Sequence, residues 1–363
     1  MDRISDSGSD DRRSIRLGGT KMNYSLKLRH FNDPEVELAW RKMESGSLSP
    51  YLYFDYMKFI SDYTSFHTLY HPAVACVSDT DGRIVMLVPL KASLTRSYFK
   101  MLGDIQGCDR TDALYLPELG EEERAEATRC FYASMRKRLK IYRIQDGSPM
   151  LGEMPAERIS MRNTNPYVRI AVPQDCDAAL KALSSSVRQN LRTAYNRMRR
   201  DGKEFTLEIY EGGKPMPDEV WKEIMDLYFE RLFSKYKGEK IKNFLSKIRW
   251  KTIYCRTKHD TRSLRSLPNA RHILLRDGKR LVAFMSGLLT HDSSSFTVPR
   301  LAIDADYRFY SPGYILIDKT LREFSAEKIT AELDMSRGDE KYKFDMGGTP
   351  YSTTDTILVH SAR

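Results

Sequence analysis

Residues 298–346, VPRLAIDADYRFYSPGYILIDKTLREFSAEKITAELDMSRGDEKYKFDM, decide how the rest of the chain is read. They read as a strand, a short polar loop closing on Pro312-Gly313, an amphipathic helix, a second apolar strand and a charged segment. That order is a βαβ unit. A loop that turns sharply into a helix leaves unpaired backbone N–H groups at the helix start, with the positive end of the dipole behind them. A phosphate or pyrophosphate fits there. Gly313 lets a ligand approach the backbone, Pro312 suits a helix entrance, and Arg308 adds a charge. A plain helix cap is the alternative reading of the same residues.

The segment after the second strand holds Glu332, Asp334, Ser336, Arg337, Gly338, Asp339, Glu340, Lys341, Tyr342 and Lys343. Open α/β sheets place ligands at the carboxyl ends of their strands. Asp, Arg, Lys and Tyr gathered there supply a general base, a general acid and anion ligands. The alternative is a solvated polar turn.

At 363 residues the chain is long enough for about two domains. It is 41% hydrophobic, 11% aromatic and 30% charged, the balance of a globular protein rather than a disordered one. Lys and Arg number 59 against 49 Asp and Glu, and the excess of 10 favours anionic partners or a solvated basic surface. Cys76, Cys108, Cys130, Cys176 and Cys255 lie far apart without a CxxC pair, which argues against a disulfide framework or zinc knuckle. The first residues lack the apolar core of a signal peptide, and no run approaches the ~18 apolar residues of a membrane span. A cytoplasmic location without membrane insertion is expected.

Residues 1–22, rich in Ser, Asp, Arg and Gly, read as a flexible tail. From Tyr24 a strand, two helices, a hairpin turning at Asp81-Gly82, a further strand, the Gly- and Asp-rich stretch 103–110, a helix and a strand form a first α/β unit over residues 23–165. The plan repeats over residues 166–363. A strand at 167–172 leads to a helix capped by Asp175 or Asp177. A basic helix from Ser185 or Ser186 follows, with Val187, Leu191, Ala194 and Met198 on one face. A strand at 205–210, long helices at 217–236 and 241–254, and a meander turning at Asp277-Gly278 and His291-Asp292 lead into the opening βαβ unit. The repeated order suggests an internal duplication. His272 and His291 flank strands of the meander, where a lone histidine is usually structural.

The Y-S-P-G-x-x-L helix start and the L-D-x-S-R-G-D-E-x-Y-K ending within residues 307–342 resemble the C-terminal signature of the CelD-type acetyltransferases, a branch of the GNAT superfamily. SSSVRQNLRTAYNRMRRDGK, residues 184–203, is similar to the basic helix of that family. DGRIVMLVPLKAS followed by FKMLGDIQGCDRTDALY resembles its hairpin and following strand. The resemblance implies an α/β fold (α+β, mixed sheets) of two tandem GNAT-like domains, each a mostly antiparallel sheet flanked by helices. It implies a first domain without catalytic function and a second that transfers an acyl group. The donor would be acetyl-CoA or another acyl-CoA, with no metal. The acceptor would be a small amine or alcohol of the kind used in polysaccharide production. The pyrophosphate loop of the family falls on residues 308–313, which assigns Arg308, Tyr310, Ser311 and Gly313 to the donor. Only Arg308 and Gly313 fit the ends of the glycine-rich loop most relatives carry.

Acyl transfer from a thioester requires a positioned donor, a deprotonated amine and a protonated leaving thiolate. Asp334 or Asp339 is the expected base and Tyr342 the acid, with Arg337 and Lys341 binding the acceptor. A Fem-type aminoacyl-tRNA-dependent transferase is the neighbouring alternative, although the sequence lacks the extended heptad hairpin of a coiled-coil arm, so a nucleic-acid partner is not expected. A binding protein on a degenerate scaffold is the third.

Overall fold

The computed structural model describes residues 16–17, 20–21, 23–47, 49–95, 97–103, 108–234 and 264–360. The expected helix at 241–254, Cys255 and part of the 103–110 stretch lie outside them.

Strands β1 (Arg16–Leu17) and β2 (Thr20–Lys21) pair with each other, so the expected flexible tail contains a short antiparallel ladder. The first half then runs through β3 (Ser25–Arg29), α1 (Pro34–Glu44), α2 (Phe54–His67), β4 (Tyr70–Ser78) and β5 (Ile84–Ser93). It continues with β6 (Tyr98–Met101), β7 (Leu114–Tyr115), α3 (Glu121–Ser134), β8 (Arg138–Gln145) and the short α4 (Pro149–Gly152). The long β9 (Ile159–Ala171) leads to α5 (Cys176–Ala182) and α6 (Ser185–Arg200). The second half adds β10 (Phe205–Glu211), α7 (Asp218–Ser234), β11 (Ala270–Asp277), β12 (Arg280–Leu289) and β13 (Ser295–Ile303). Helix α8 (Pro312–Ala326), β14 (Glu332–Arg337), α9 (Lys341–Asp345) and β15 (Thr349–Leu358) close the chain.

All strands after β2 join one sheet, in the order β10-β11-β12-β13-β14-β9-β15-β8-β6-β5-β4-β3, with β7 beside β5. Among the described residues only two neighbouring pairs are parallel, β13 with β14 and β6 with β8. Each is joined by a crossover through a helix, α8 in the second half and α3 in the first, so the βαβ unit read from the sequence is present twice. The halves exchange strands at the centre. β9, which follows the first half, pairs with β14, whereas β15, which follows the second half, pairs with β8. β15 then pairs along its whole length with β9, from Thr349 opposite Arg169 to Leu358 opposite Ile159. Position 165/166, where the sequence reading divides the chain, falls inside β9.

Helix α6 shows why these residues fold as they do. Ser184 accepts a hydrogen bond from the Val187 N–H at the helix start, and Val187, Leu191, Ala194 and Met198 are buried against α8 and the sheet. The helix ends at Asp201-Gly202, where Gly202 takes φ 61°. Trp40, Phe99 and Phe131 anchor the core of the first half. Phe296 and Phe324 anchor the core beneath α8, and Trp221 and Phe284 the core beneath α7.

Candidate active site

β13 and β14 pair in register at only three positions, Ser295 with Glu332, Phe296 with Leu333 and Thr297 with Asp334. Beyond Thr297 and Asp334 the strands part. β13 continues beside β12 through a bulge, because Thr297 opposes Leu288 while Arg300 opposes Ser286. β14 bends the other way, and Arg337 opposes Tyr167 on β9. A notch therefore opens in the sheet at the carboxyl ends of two parallel strands. The Leu301 carbonyl, on the β13 lip, accepts a hydrogen bond from the Arg231 guanidinium of α7.

The loop from β13 to α8 closes one end of the notch. Asp304 caps a 3-10 turn over Ala305–Tyr310, and Arg280 ties Asp304 and Asp306 together at 2.7 and 2.6 Å. Tyr307 donates to Asp277 at 2.7 Å and Tyr310 to Asp201 at 2.8 Å, which pins the turn to the neighbouring elements. Ser311 then adopts the left-handed region, φ 50° and ψ 53°, and gives α8 no side-chain cap. Pro312 has no N–H, and among the described residues that of Gly313 has no backbone acceptor. A Cβ on Gly313 would meet only Ile303 at 3.9 Å, so the space in front of the helix start is open. Arg308 is exposed, with no ion pair among the described residues. These features fit an anionic group at the start of α8. Tyr310 is spent on Asp201 and helps hold the turn.

The vertex of the notch is occupied from the other half. Arg110 lies 3.3 Å from Asp334, donates to Thr297 Oγ1 at 3.3 Å and to Gln145 at 2.9 Å, and is buried with Asp334. Asp334 also accepts from the Tyr351 hydroxyl at 2.8 and 3.0 Å and from the Ser336 N–H at 2.9 Å. Its oxygens are thus engaged by a guanidinium, a phenol and a backbone amide. Arg169 covers the Tyr351 ring at 4.1 Å, and Tyr51 reaches Ser336 Oγ at 3.4 Å. Burial raises the Asp109 carboxyl above the usual range, against the charge of Arg143, which stands 3.2 Å away.

The turn after β14 carries the remaining expected residues. Asp339 is exposed without a described partner. Arg337 is exposed, and its charge is felt by Asp109. Lys341 is committed to Asp345 at 2.5 and 2.8 Å on the surface. Tyr342 is half-buried, and burial pushes its phenol up to about 12, with the Glu340 carboxylate adding to the shift. Lys343, absent from the expected set, is buried and donates to the carbonyls of Arg337 and Gly338 at 2.9 and 3.1 Å. Glu340 receives the same ammonium at 2.9 Å.

The structure therefore brings Asp334, Asp339, Arg337 and Tyr342 to one end of the notch, with Arg308 and Gly313 in the loop of the same crossover. Sequence reasoning missed Arg110, 187 positions from Thr297, and Tyr351 and Arg231. The quoted stretch 103–110 carried the only signal for Arg110. His272 is buried, bonded through Nδ1 to Ser286 at 2.9 Å, and burial lowers its imidazole to about 3, which keeps it neutral. Among the described residues no group of three or more His, Cys, Asp or Glu is placed to hold a metal ion. No described helix is long and apolar enough to cross a membrane.

Residues 185–344 match the acetyltransferase (GNAT) domain family. No curated protein matches the chain. Among solved structures, FemX superposes with a TM-score of 0.53 at 9% identity, covering 92% of this chain and 98% of its own. A conserved protein of unknown function from Bacteroides thetaiotaomicron VPI-5482 superposes with a TM-score of 0.52 at 14% identity, covering 92% and 99%. At these identities the likeness is one of fold. The chain is a mixed α/β protein with a large, mostly antiparallel sheet flanked by helices, and residues 185–344 are similar to the acetyltransferase (GNAT) domain.

Proposed function

We propose that the chain is an acyl-CoA-dependent N-acyltransferase of the CelD type, acting in the cytoplasm on a small, sugar-derived amine. The observation that carries this reading is the notch between β13 and β14, open beyond Thr297 and Asp334 and closed at its far end by the uncapped start of α8. The donor's pyrophosphate would lie on the Gly313 N–H beside Arg308. Its thioester arm would follow β13 from Ile303 back to Thr297, a span of roughly 20 Å. The second half, residues 166–363, would do the chemistry, and the first, residues 23–165, would shape the site without catalysing.

The acceptor amine must lose a proton and the departing thiolate must gain one. Tyr342, held protonated by burial at neutral pH, suits the second task. Asp339 is the free carboxylate for the first. Asp334, fully engaged, would serve by fixing Arg110 at the vertex. Arg337 would bind the acceptor, whereas Lys341 would have to leave Asp345 to do so. A Fem-type, aminoacyl-tRNA-dependent reading draws on the FemX-like fold and on α6, where Arg192 and Arg199 are exposed without described ion pairs. It would require tight, salt-sensitive binding of charged tRNA.

Release of free thiol from acetyl-CoA, followed over a panel of amino sugars, tests the reading. Acceptor-dependent release, reduced by about a hundredfold or more in Tyr342→Phe, is the expected result. Release that no amine stimulates, alongside tRNA binding that weakens steeply with salt, would replace it with the second reading.

A further inference from the structure

Away from the notch, a cavity of about 270 Å³ lies between the two halves. Its volume matches the bulk share of about nine water molecules, enough for a small organic ligand. The first half supplies Arg41, Glu44, Tyr53 and Tyr56, and the second supplies Arg271 and His291. Tyr56, with Leu267 and Leu289, gives it a buried, largely apolar floor.

The charges at its rim are not evenly answered. Arg41 grips Asp55 at 2.7 and 3.1 Å and stands 3.6 Å from Glu44, so both carboxylates have a cation. Arg271 has no ion pair among the described residues, and its Nη1 reaches only the carbonyls of Ala270 and Pro268, at 2.8 and 3.3 Å. Glu211, opposite it on β10, is bound by Lys214 at 2.7 Å and feels the Arg271 charge without forming an ion pair with it. His291 is fixed as a wall of the cavity. Its ring stacks on Tyr53 at 3.9 Å, its backbone N–H donates to the Tyr53 hydroxyl at 2.7 Å, and its Nε2 stands 3.7 Å from Glu44. The cavity thus offers a flat aromatic wall, an apolar floor and a guanidinium with donors to spare.

We propose that this cavity binds a small organic carboxylate with a compact aromatic or apolar body, its head group on Arg271 and His291 and its body against Tyr53 and Tyr56. One wall comes from each half, so the occupant bridges them. The site stands independently of acyl transfer, and its test needs no turnover.

Benzoate, benzyl alcohol and benzylamine share a ring and differ in charge, so calorimetric titration with each separates the recognition of an anion from simple filling of the cavity. The His291 ring resonances, assigned with His291→Gln, report where the probe sits. Benzoate is expected to bind saturably and to move the His291 signals, with the alcohol and the amine at least about tenfold weaker. Arg271→Gln should weaken benzoate by about tenfold or more with an unchanged melting temperature. If that variant melts early, His291→Gln should show the same loss from its half-exposed position. No saturable binding at about 20 mM benzoate, equal affinity for the alcohol, preference for the amine, or parental affinity in both variants would each overturn the proposal.

Discussion

Asp334 is 1% exposed and stands 3.3 Å from the buried guanidinium of Arg110. Two groups of opposite charge taken out of water are costly, and the cost is offset only while the pair and the hydrogen bonds around it stay together. Removing one member should therefore harm the protein far more than removing both. Asp334→Asn, which leaves Arg110 buried without an anion, is expected to lower stability by about 3 to 5 kcal/mol. Asp334→Leu combined with Arg110→Met should recover most of that loss, as urea midpoints of the single and double variants would reveal. Equal and additive losses would mean that the pair is not coupled. The sequence made Asp334 conspicuous as a carboxylate at a strand end, but its partners were hidden by distance along the chain. Burial is what changes its chemistry, and burial depends on residues such as Arg110 and Tyr351 that carry no local signal pointing to it.

The turn between β14 and α9 shows how an element can be read correctly while its side chains are not. Its charge and its place after an apolar strand are plain in the sequence, and they put Asp334, Arg337, Asp339 and Tyr342 at the end of the sheet. Which lysine faces inward is another matter. Lys341 is the exposed one, and Lys343 folds beneath the turn, where the left-handed backbone at Ser336 and Gly338 aims three successive carbonyls at its ammonium. A two-residue shift in a short helix decides between solvent and core. Lys343→Met should cost about 2 to 3 kcal/mol by leaving those carbonyls without a donor. Lys341→Met should change stability by less than about 0.5 kcal/mol, since an exposed i,i+4 pair contributes little. Thermal unfolding of the two variants side by side distinguishes them.

At the scale of the whole molecule, the repeated order of hairpin, strand, loop, helix and strand was legible because each copy bears its own apolar periods and an Asp-Gly turn, at Asp81-Gly82 and Asp277-Gly278. The exchange of β9 and β15 was not. The first part of β9, before Tyr167, is largely exposed and β15 is rich in Thr, so neither stretch offers the apolar alternation that marks a strand. Their pairing is set by the sheet they complete. The exchange brings β15, and with it Tyr351, to the vertex, and binds the first half to the second through Arg110. A donor seated in the notch would touch α8, β13 and β14 while resting on a vertex built by both halves. Calorimetric titration with acetyl-CoA of the parent protein and of an Arg308→Ala, Gly313→Trp variant tests that account most directly. It predicts saturable binding by the parent, weakened about thirtyfold or more in the variant, equivalent to about 2 kcal/mol. No binding by the parent at millimolar acetyl-CoA, or undiminished binding by a folded variant, would contradict it.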